Sequence, residues 1–281
     1  MLELFKYNFF INALWASLFT AITCGIIGTY IVTRRIVFIS GGISHSSFGG
    51  LGIGYFLGIN PIIGAAVFSV LTSLGIEALS KKSELREDSL IGMTWSFGMA
   101  VGIIFVFLTP GYASDLMSYL FGNILTVSGN DLYMMAALSV IIILTFYYLF
   151  KEILFLSFDR EFAETQGVPV SLISYLLIAL VALTIVINIR VVGTVMVISL
   201  LTIPQAAANI LSQNYRHIIF YSIFFAFLSN VFGLFLSYYL NIPSGASIIL
   251  FSIIIYIFIK LGNVIYLRIQ LSRTLRSKHT G

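Results

Sequence analysis

Residues 171–189 read SLISYLLIALVALTIVINI, an apolar stretch without a charged side chain. A helix needs about 20 mainly apolar residues to cross a bilayer, and this stretch meets that requirement. Turn signals such as Asn60-Pro61 and Pro110-Gly111 separate it from similar stretches along the chain. These lie at approximately residues 11–33, 36–58, 62–80, 90–109, 131–150, 191–211, 217–239 and 246–261. The sequence therefore predicts an all-α polytopic membrane protein with nine transmembrane helices, or eight if one segment is short or interfacial.

The composition of the 281-residue chain indicates that lipid is its main solvent. Hydrophobic residues make up 59% of the chain and charged residues only 9%, whereas a soluble protein carries roughly 25% charged residues. The alternating segments of an outer-membrane barrel are missing, which favours helices. No hydrophilic domain or long linker interrupts the apolar stretches, so residues 1–281 are predicted to form a single transmembrane domain. The net charge of +4 gives no indication of nucleic-acid binding.

The distribution of Lys and Arg predicts which loops face the cytoplasm. Basic residues cluster around 81–86, in the segment 151–170 and in the tail 262–281, which are therefore predicted to be cytoplasmic. No Lys or Arg occurs between the first two clusters, so the turn there is predicted to face outside, with residues 113–127 as an outer-surface or re-entrant helix. Arg190 then falls on the outer side, against the rule. Counting nine segments places the N-terminus outside as well.

The second apolar stretch contains a histidine at membrane depth. Its sequence is FISGGISHSSFGGLGIGYFLG, residues 38–58, with His45 close to the middle. Ionisable residues inside membranes are costly and mark functional sites. The surrounding glycines and serines permit close helix approach, which is typical of a packed helix that lines a pathway. Imidazole binds zinc, copper, iron and nickel, so His45 is either a metal ligand or a histidine hydrogen-bonded between helices.

Residues 157–170, SFDREFAETQGVPV, form the most charged run in the chain. Asp159 is placed to cap a short helix, and Gly167 is a stop signal for it. Phe162 and Ala163 are predicted to lie on the apolar side of this helix. The run is either a solvated connector or a docking helix for a cytoplasmic partner.

Residues 191–211 contain Pro204, which lacks the N–H group that an unbroken helix requires. We predict a break or kink near residues 200–203. Gln205 and Asn209 follow one helical turn apart on one face. Polar residues of this kind usually join helices inside a membrane, and we expect the same role here.

No catalytic set is recognisable in the sequence. Ser44 precedes His45, but adjacency along the chain does not place a nucleophile against its base. The nucleophile-elbow motif and the phosphate-binding P-loop are both missing from the sequence. Cys24 is the only cysteine, so no internal disulfide can form. The chain is therefore not expected to be an enzyme, and any ATP must be hydrolysed by a separate chain.

Four motifs in consistent order resemble the permease family of metal-type ABC importers, which take up zinc, manganese or iron(II). The family pattern Phe-Ile-Gly-Asp-Ala-Leu-Ser-His matches residues 38–50, and Asp-Leu-Met-x-Tyr-Leu-Phe-Gly matches residues 115–122. The pattern Ser-Leu-Leu-x-Ile-Pro-Ala-Ala-x-Ala is similar to residues 199–208, and x-x-Pro-x-Gly-Pro to residues 241–246. The likeness extends over about residues 33–261, nearly the whole membrane domain.

The resemblance implies a homodimeric permease in a prokaryotic plasma (inner) membrane. It implies two partners besides the second copy and the lipid bilayer: a cytoplasmic ATP-binding subunit and an extracytoplasmic metal-binding protein. No cofactor is bound permanently, because the divalent metal ion is cargo and ATP binds the partner subunit. His45 is implied as a metal ligand in the translocation pathway. The segment 151–170 is implied to contain the helix that couples to the ATPase, with the following residues at the contact: Asp159, Arg160, Glu161, Phe162 and Gly167.

One position departs from the family pattern. Where the pattern has Asp four residues before the histidine, this chain has Gly41, so the helix face that carries His45 lacks a carboxylate. Manganese needs oxygen ligands more than zinc does, which favours zinc as the cargo, followed by manganese or iron(II). Asp115 and Asn123 are further candidate residues along the translocation pathway.

Two alternative functions have weaker support. A permease for a metal chelate of the siderophore or cobalamin type needs a wide pathway, whereas the segment around His45 indicates traffic of single ions. A secondary transporter coupled to protons or sodium needs carboxylates inside its spans. Glu77 is the only acid well inside a predicted span, and it lies close to the cytoplasmic end. We therefore expect an ATP-driven importer of a divalent metal.

Overall fold

The computed structural model describes residues 7–82, 86–110, 122 and 124–279, and these residues contain helices and turns but no β-strand. Most of the segment 113–127, which was predicted to be helical, lies outside this part of the chain, and its described end contains a 3-10 helix at Ile124–Thr126. In chain order the α-helices are α1 (Asn8–Thr33), α2 (Phe38–Leu57), α3 (Pro61–Lys82), α4 (Glu87–Leu108), α5 (Gly129–Tyr148), α6 (Phe150–Phe158), α7 (Arg160–Thr165), α8 (Val170–Val192), α9 (Thr194–Leu200), α10 (Ile203–Leu211), α11 (Tyr215–Leu240) and α12 (Ser244–His279).

Eight helical segments of the described chain are long and apolar enough to cross a membrane, and α9 and α10 together form one of them. The helix α2 is not among the eight, although it has 20 residues, because its glycines and serines lower its hydropathy. It nevertheless packs against α3 and α4, and most of its residues are buried. Each of the nine predicted segments therefore corresponds to a helix or a broken helix. The prediction of an all-α polytopic membrane protein is confirmed.

Glycines allow α2 to approach both of its neighbours closely. A Cβ atom at Gly98 of α4 would lie 2.5 Å from the Cα and 2.6 Å from the carbonyl oxygen of Ser46 in α2. The contact with α3 is equally tight, because Gly50 and Gly64 each face the other's backbone carbonyl. Any larger side chain at these positions would push the helices apart. The close packing predicted for the segment around His45 is therefore present.

The helix predicted to break before Pro204 does so, since α9 ends at Leu200 and α10 begins at Ile203. Pro204 has no N–H group for the carbonyl of Leu200, and the side chain of Gln205 takes its place by donating to that oxygen at 3.1 Å. The same amide nitrogen donates to the carbonyl of Cys24 in α1 at 2.8 Å. The break is thus stabilised by a bond that also joins two helices.

Two other buried amides also bond to α1. The side chain of Asn188 in α8 donates to the hydroxyl of Thr23 at 3.2 Å, and that of Asn230 in α11 donates to the carbonyl of Ser17 at 3.0 Å. In contrast, Asn209 is exposed, because α10 carries it to the end of the bundle. The predicted helix-joining role therefore holds for Gln205 and not for Asn209.

Arg190, the cation that violates the charge rule, has a local partner. Its Nε lies 2.9 Å from Oδ1 of Asp131, a buried carboxylate at the start of α5. The pair neutralises both charges at the predicted outer face, so Arg190 is compatible with the predicted orientation. Near the same face, Asn12 at the start of α1 donates to the carbonyl of Val127 at 3.3 Å.

Two glycines of α4 provide a matched test of this packing. We expect Gly98→Ala to destabilise the protein by about 1–3 kcal/mol, because the added methyl group meets the backbone of α2. Gly92 has nothing within 4 Å of the corresponding position, so Gly92→Ala should stabilise its helix by roughly 0.5–1 kcal/mol. The measurement is the midpoint of thermal unfolding in detergent. Equal midpoints for the two variants would contradict the packing argument.

Candidate functional site

His45 and Gly41 lie one helical turn apart on one face of α2. Both residues are half-buried, and between Ile39 and Gly52 they are the only residues of the helix that are not fully buried. The rest of this segment is enclosed by neighbouring helices. The strip formed by Gly41 and His45 is therefore the accessible part of the segment from Ile39 to Gly52.

The imidazole of His45 is held by a tryptophan on the neighbouring helix. The ring stacks on the indole of Trp95 in α4, with 4.3 Å between the ring centroids and 4° between the planes. Phe38 packs against the same indole at 6.1 Å. Stacking fixes the plane of the imidazole and leaves its two nitrogens at the ring edge, where a hydrogen-bond partner or a metal ion binds. Trp95 was not predicted, because the stack forms only when α2 packs against α4.

The space beside Gly41 is open enough for a side chain. A Cβ atom there would lie 3.9 Å from the Trp95 ring and 4.0 Å from the side chain of Ile198 in α9, which are ordinary contact distances. Glycine at this position is therefore not required by packing, unlike Gly98. The missing carboxylate changes the chemistry of the strip and leaves its backbone geometry unaffected.

The described part of the chain contains no cluster of three or more His, Cys, Asp and Glu side chains that could hold a metal ion. Asp115 and Asn123, the other candidate pathway residues, lie outside the described residues, so their roles stay predictions. His45 is thus a single imidazole on an accessible strip. Such a site suits an ion in transit, which has to be released, better than a structural metal ion.

The segment predicted to couple to a partner forms a short, well-capped helix. The carboxylate of Asp159 accepts a hydrogen bond from the backbone N–H of Phe162 at 2.9 Å, as expected for an N-cap. Beyond the helix, Gly167 adopts φ +75°, which a residue with a side chain rarely adopts. The predicted cap and stop signals of this helix are both confirmed.

The two apolar residues of α7 face in different directions. Ala163 is buried, whereas the side chain of Phe162 is 46% exposed and packs edge-on against Phe155 of α6 at 5.3 Å. Glu161 is exposed as well. The prediction of one shared apolar side is therefore wrong, because adjacent residues of a helix are about 100° apart. Ala163 anchors the helix to the protein, and Phe162 with Glu161 forms its outer surface.

An ion pair links α7 to the membrane helices. Nη1 of Arg160 lies 3.7 Å from Oε1 of Glu77, which is buried near the end of α3. Arg34 after α1 and Glu87 at the start of α4 are close enough to interact electrostatically with this pair. These four charged residues thus connect α7 with the ends of α1, α3 and α4. Of these three helices, α3 and α4 pack against α2. The sequence had shown only that Glu77 lies near the cytoplasmic end of its span.

The model of the ABC 3 transport family matches residues 6–263. The chain belongs to this family. The earlier resemblance to the permeases of metal-type ABC importers is thereby confirmed. The match includes every described residue of the strip on α2 and of α7.

Relatives and solved structures agree with this assignment. The chain is 44% identical to an uncharacterized membrane protein of Synechocystis sp. over 92% of each chain. It is 34% identical to the manganese transport system membrane protein MntC of Listeria monocytogenes over 90% of each chain. It is similar to the structure of PsaBC from Streptococcus pneumoniae in complex with Fab, with a TM-score of 0.81 and 32% identity over 91% of this chain and 92% of that one. The chain is therefore a multi-pass protein of the bacterial plasma membrane.

The stacked rings allow metal binding at His45 to be tested directly. Trp15 and Trp95 are the two tryptophans of the chain, so Trp15→Phe leaves Trp95 as the only indole. We expect zinc to change the emission of Trp95 in that variant, because an ion at the imidazole edge lies beside the indole. Adding His45→Ala should abolish the change. An unaltered response in the double variant would mean that the ion binds elsewhere.

Proposed function

We propose that this chain is the transmembrane permease subunit of an ATP-driven importer, and that a divalent transition-metal ion passes along the strip formed by Gly41 and His45. The observation that carries the proposal is the half-buried imidazole, held by Trp95 on a helix that is otherwise closed by glycine packing. An ionisable side chain at membrane depth is costly and needs a functional reason. Close helix packing favours a narrow pathway for a single ion over the wide pathway of a metal-chelate permease.

The chemistry of the strip favours zinc or iron(II) as the cargo. Neutral imidazole is a borderline ligand that zinc accepts readily, whereas manganese benefits more from carboxylate oxygens. Gly41 removes such a carboxylate although the site has room for one. Manganese is the second candidate, because relatives such as MntC of Listeria monocytogenes are named for manganese transport. A substitution at position 41 can therefore distinguish manganese from zinc or iron(II) as the cargo.

A second copy of the chain completes the pathway in this proposal. The strip of one chain offers a single imidazole, that of His45, and one ligand holds a transition-metal ion weakly. A homodimer arranged about a two-fold axis would bring the same strip from both subunits to one pathway. An extracytoplasmic metal-binding protein delivers the ion to the outer end of this pathway.

The outer surface of α7 is the proposed docking site for a cytoplasmic ATPase subunit, which binds and hydrolyses ATP. Exposed Phe162 offers an apolar contact of the kind that carries binding energy in interfaces. Movement of α7 would pass through the ion pair between Arg160 and Glu77 to α3, and from α3 to its packed neighbour α2. In this way the conformational change that accompanies ATP hydrolysis on the partner is transmitted to α2, the helix that carries His45.

Uptake measurements with two variants of α2 test the metal pathway. We expect His45→Ala to abolish uptake of radioactive zinc in cells without other importers, with unchanged membrane abundance, because the ion loses its ligand. Gly41→Asp should raise manganese uptake relative to zinc uptake, since a carboxylate fits at that position. Wild-type uptake by His45→Ala would refute the ligand role. A wild-type protein that prefers manganese would refute the argument from Gly41.

Replacement of Phe162 by Asp tests the docking surface. The loss of an apolar interface contact typically costs about 1–3 kcal/mol, so we expect about tenfold weaker co-purification of the ATPase and a loss of transport. The variant should still insert into the membrane, because Phe162 is 46% exposed and lies outside the membrane-spanning helices. Leu211→Asp is the matched control, since Leu211 is 50% exposed at the end of α10. Normal co-purification with Phe162→Asp, or an equal loss in both variants, would contradict the proposal.

A further inference from the structure

Two adjoining cavities lie where α1, α5, α6 and α11 meet. The first has a volume of about 390 Å³ and is lined mainly by apolar side chains, among them Ile26, Ile143 and Ile219. The second has a volume of about 370 Å³, and its lining includes Gln213 and Asn214 from the turn before α11. One cavity is therefore suited to hydrocarbon, and the other offers polar groups.

Arg216 and Phe150 line both cavities and therefore mark the boundary between them. The guanidinium carbon of Arg216 lies 4.7 Å from the centre of the Phe150 ring, a cation–π contact that holds the side chain at this boundary. No acidic residue occurs in the described lining of either cavity. The positive charge of Arg216 therefore has no counter-ion within this lining.

The position of the cavities matches the depth of lipid headgroups on the cytoplasmic side. Arg216 is the second residue of the membrane-spanning helix α11. The ring of Phe158, directly before the capping Asp159, lies 6.2 Å from that of Tyr215. The apolar cavity extends from Arg216 towards the membrane interior, since its lining includes Ile26 and Ile143 within the spans α1 and α5.

We propose that these cavities bind an anionic phospholipid of the cytoplasmic leaflet. The phosphate of the headgroup pairs with Arg216, near the polar groups of Gln213 and Asn214, and an acyl chain lies against Ile26, Ile143 and Ile219. Basic pockets between membrane helices on the cytoplasmic side recognise anionic headgroups through this combination of charge and apolar surface. The bound lipid also supports α6, the helix that leads into α7.

Lipid retention measured by native mass spectrometry tests the proposal on the full-length chain purified in detergent. With phosphatidylglycerol added, we expect the wild type to retain one lipid per chain at this site, and Arg216→Gln should bind that lipid about fivefold more weakly. Phosphatidylcholine should show no such difference. Arg216→Lys keeps the charge and should restore most of the retention. Arg268→Gln is the matched control, because Arg268 is an exposed arginine on α12 that lines neither cavity.

A second variant tests the apolar cavity independently of the charge. Ile143→Trp places a bulky ring in the apolar cavity and should also weaken lipid retention, while Arg216 is left in place. Retention of phosphatidylglycerol by Arg216→Gln at the wild-type level would overturn the proposal. Displacement of the lipid by millimolar inorganic phosphate would show that the site takes free anions. A disulfide between two chains that carry cysteine only at position 143 would show that a second copy covers the cavity, and would also overturn the proposal.

Discussion

The hydrocarbon core of a membrane contains no water, so a polar group buried there needs a partner within the protein. In this bundle α1 supplies many of those partners. The amides of Asn188, Gln205 and Asn230 come from three different helices, and each donates to an oxygen on α1. These hydrogen bonds are directional, and they set the position of each helix along α1 in a way that apolar packing alone does not. The helices α8, α10 and α11 are therefore positioned along α1.

Glycine packing complements the hydrogen bonds. It brings α2 so close to α3 and α4 that little of α2 remains accessible, and the accessible strip carries His45. Because the backbones are in contact, a shift of α3 or α4 must also displace α2. The group of charges around Glu77 and Arg160 lies at the end of α3 and the start of α4. Closely packed helices that carry an accessible imidazole at one point and an ion pair at another provide a physical connection between the two points.

The charges at the two ends of the bundle have different roles. At the predicted outer end, Arg190 and Asp131 neutralise each other in a close ion pair, which joins the end of α8 to the start of α5. At the predicted cytoplasmic end, Arg160 is shared between Glu77 and Glu164 at 3.7 Å from each, a looser arrangement that can be rearranged at lower cost. Arg216 differs from both, because a phenyl ring and two cavities surround it instead of a carboxylate. The surroundings of these arginines therefore differ in ways that the net charge of the chain does not show.

Local sequence patterns determine the helices of this protein and several of their ends. The apolar stretches determined the helices, because a bilayer requires a fixed length of apolar residues. Pro204 determined the break in its helix, and Asp159 and Gly167 determined the ends of α7, since each acts through its own backbone. His45 was recognisable because an ionisable residue inside an apolar stretch is conspicuous at any position in the fold.

The tertiary structure alone decided which residues meet. Three features form between helices that are far apart in sequence. They are the stack of His45 on Trp95, the ion pair of Arg160 with Glu77, and the cavities beside Arg216. It also decided that Asn209 is exposed and that Phe162 points away from Ala163. Sequence periodicity describes a helix by itself, but it does not say which neighbour each face receives. That choice depends on packing and hydrogen bonding among all the helices together, so only the assembled bundle reveals it.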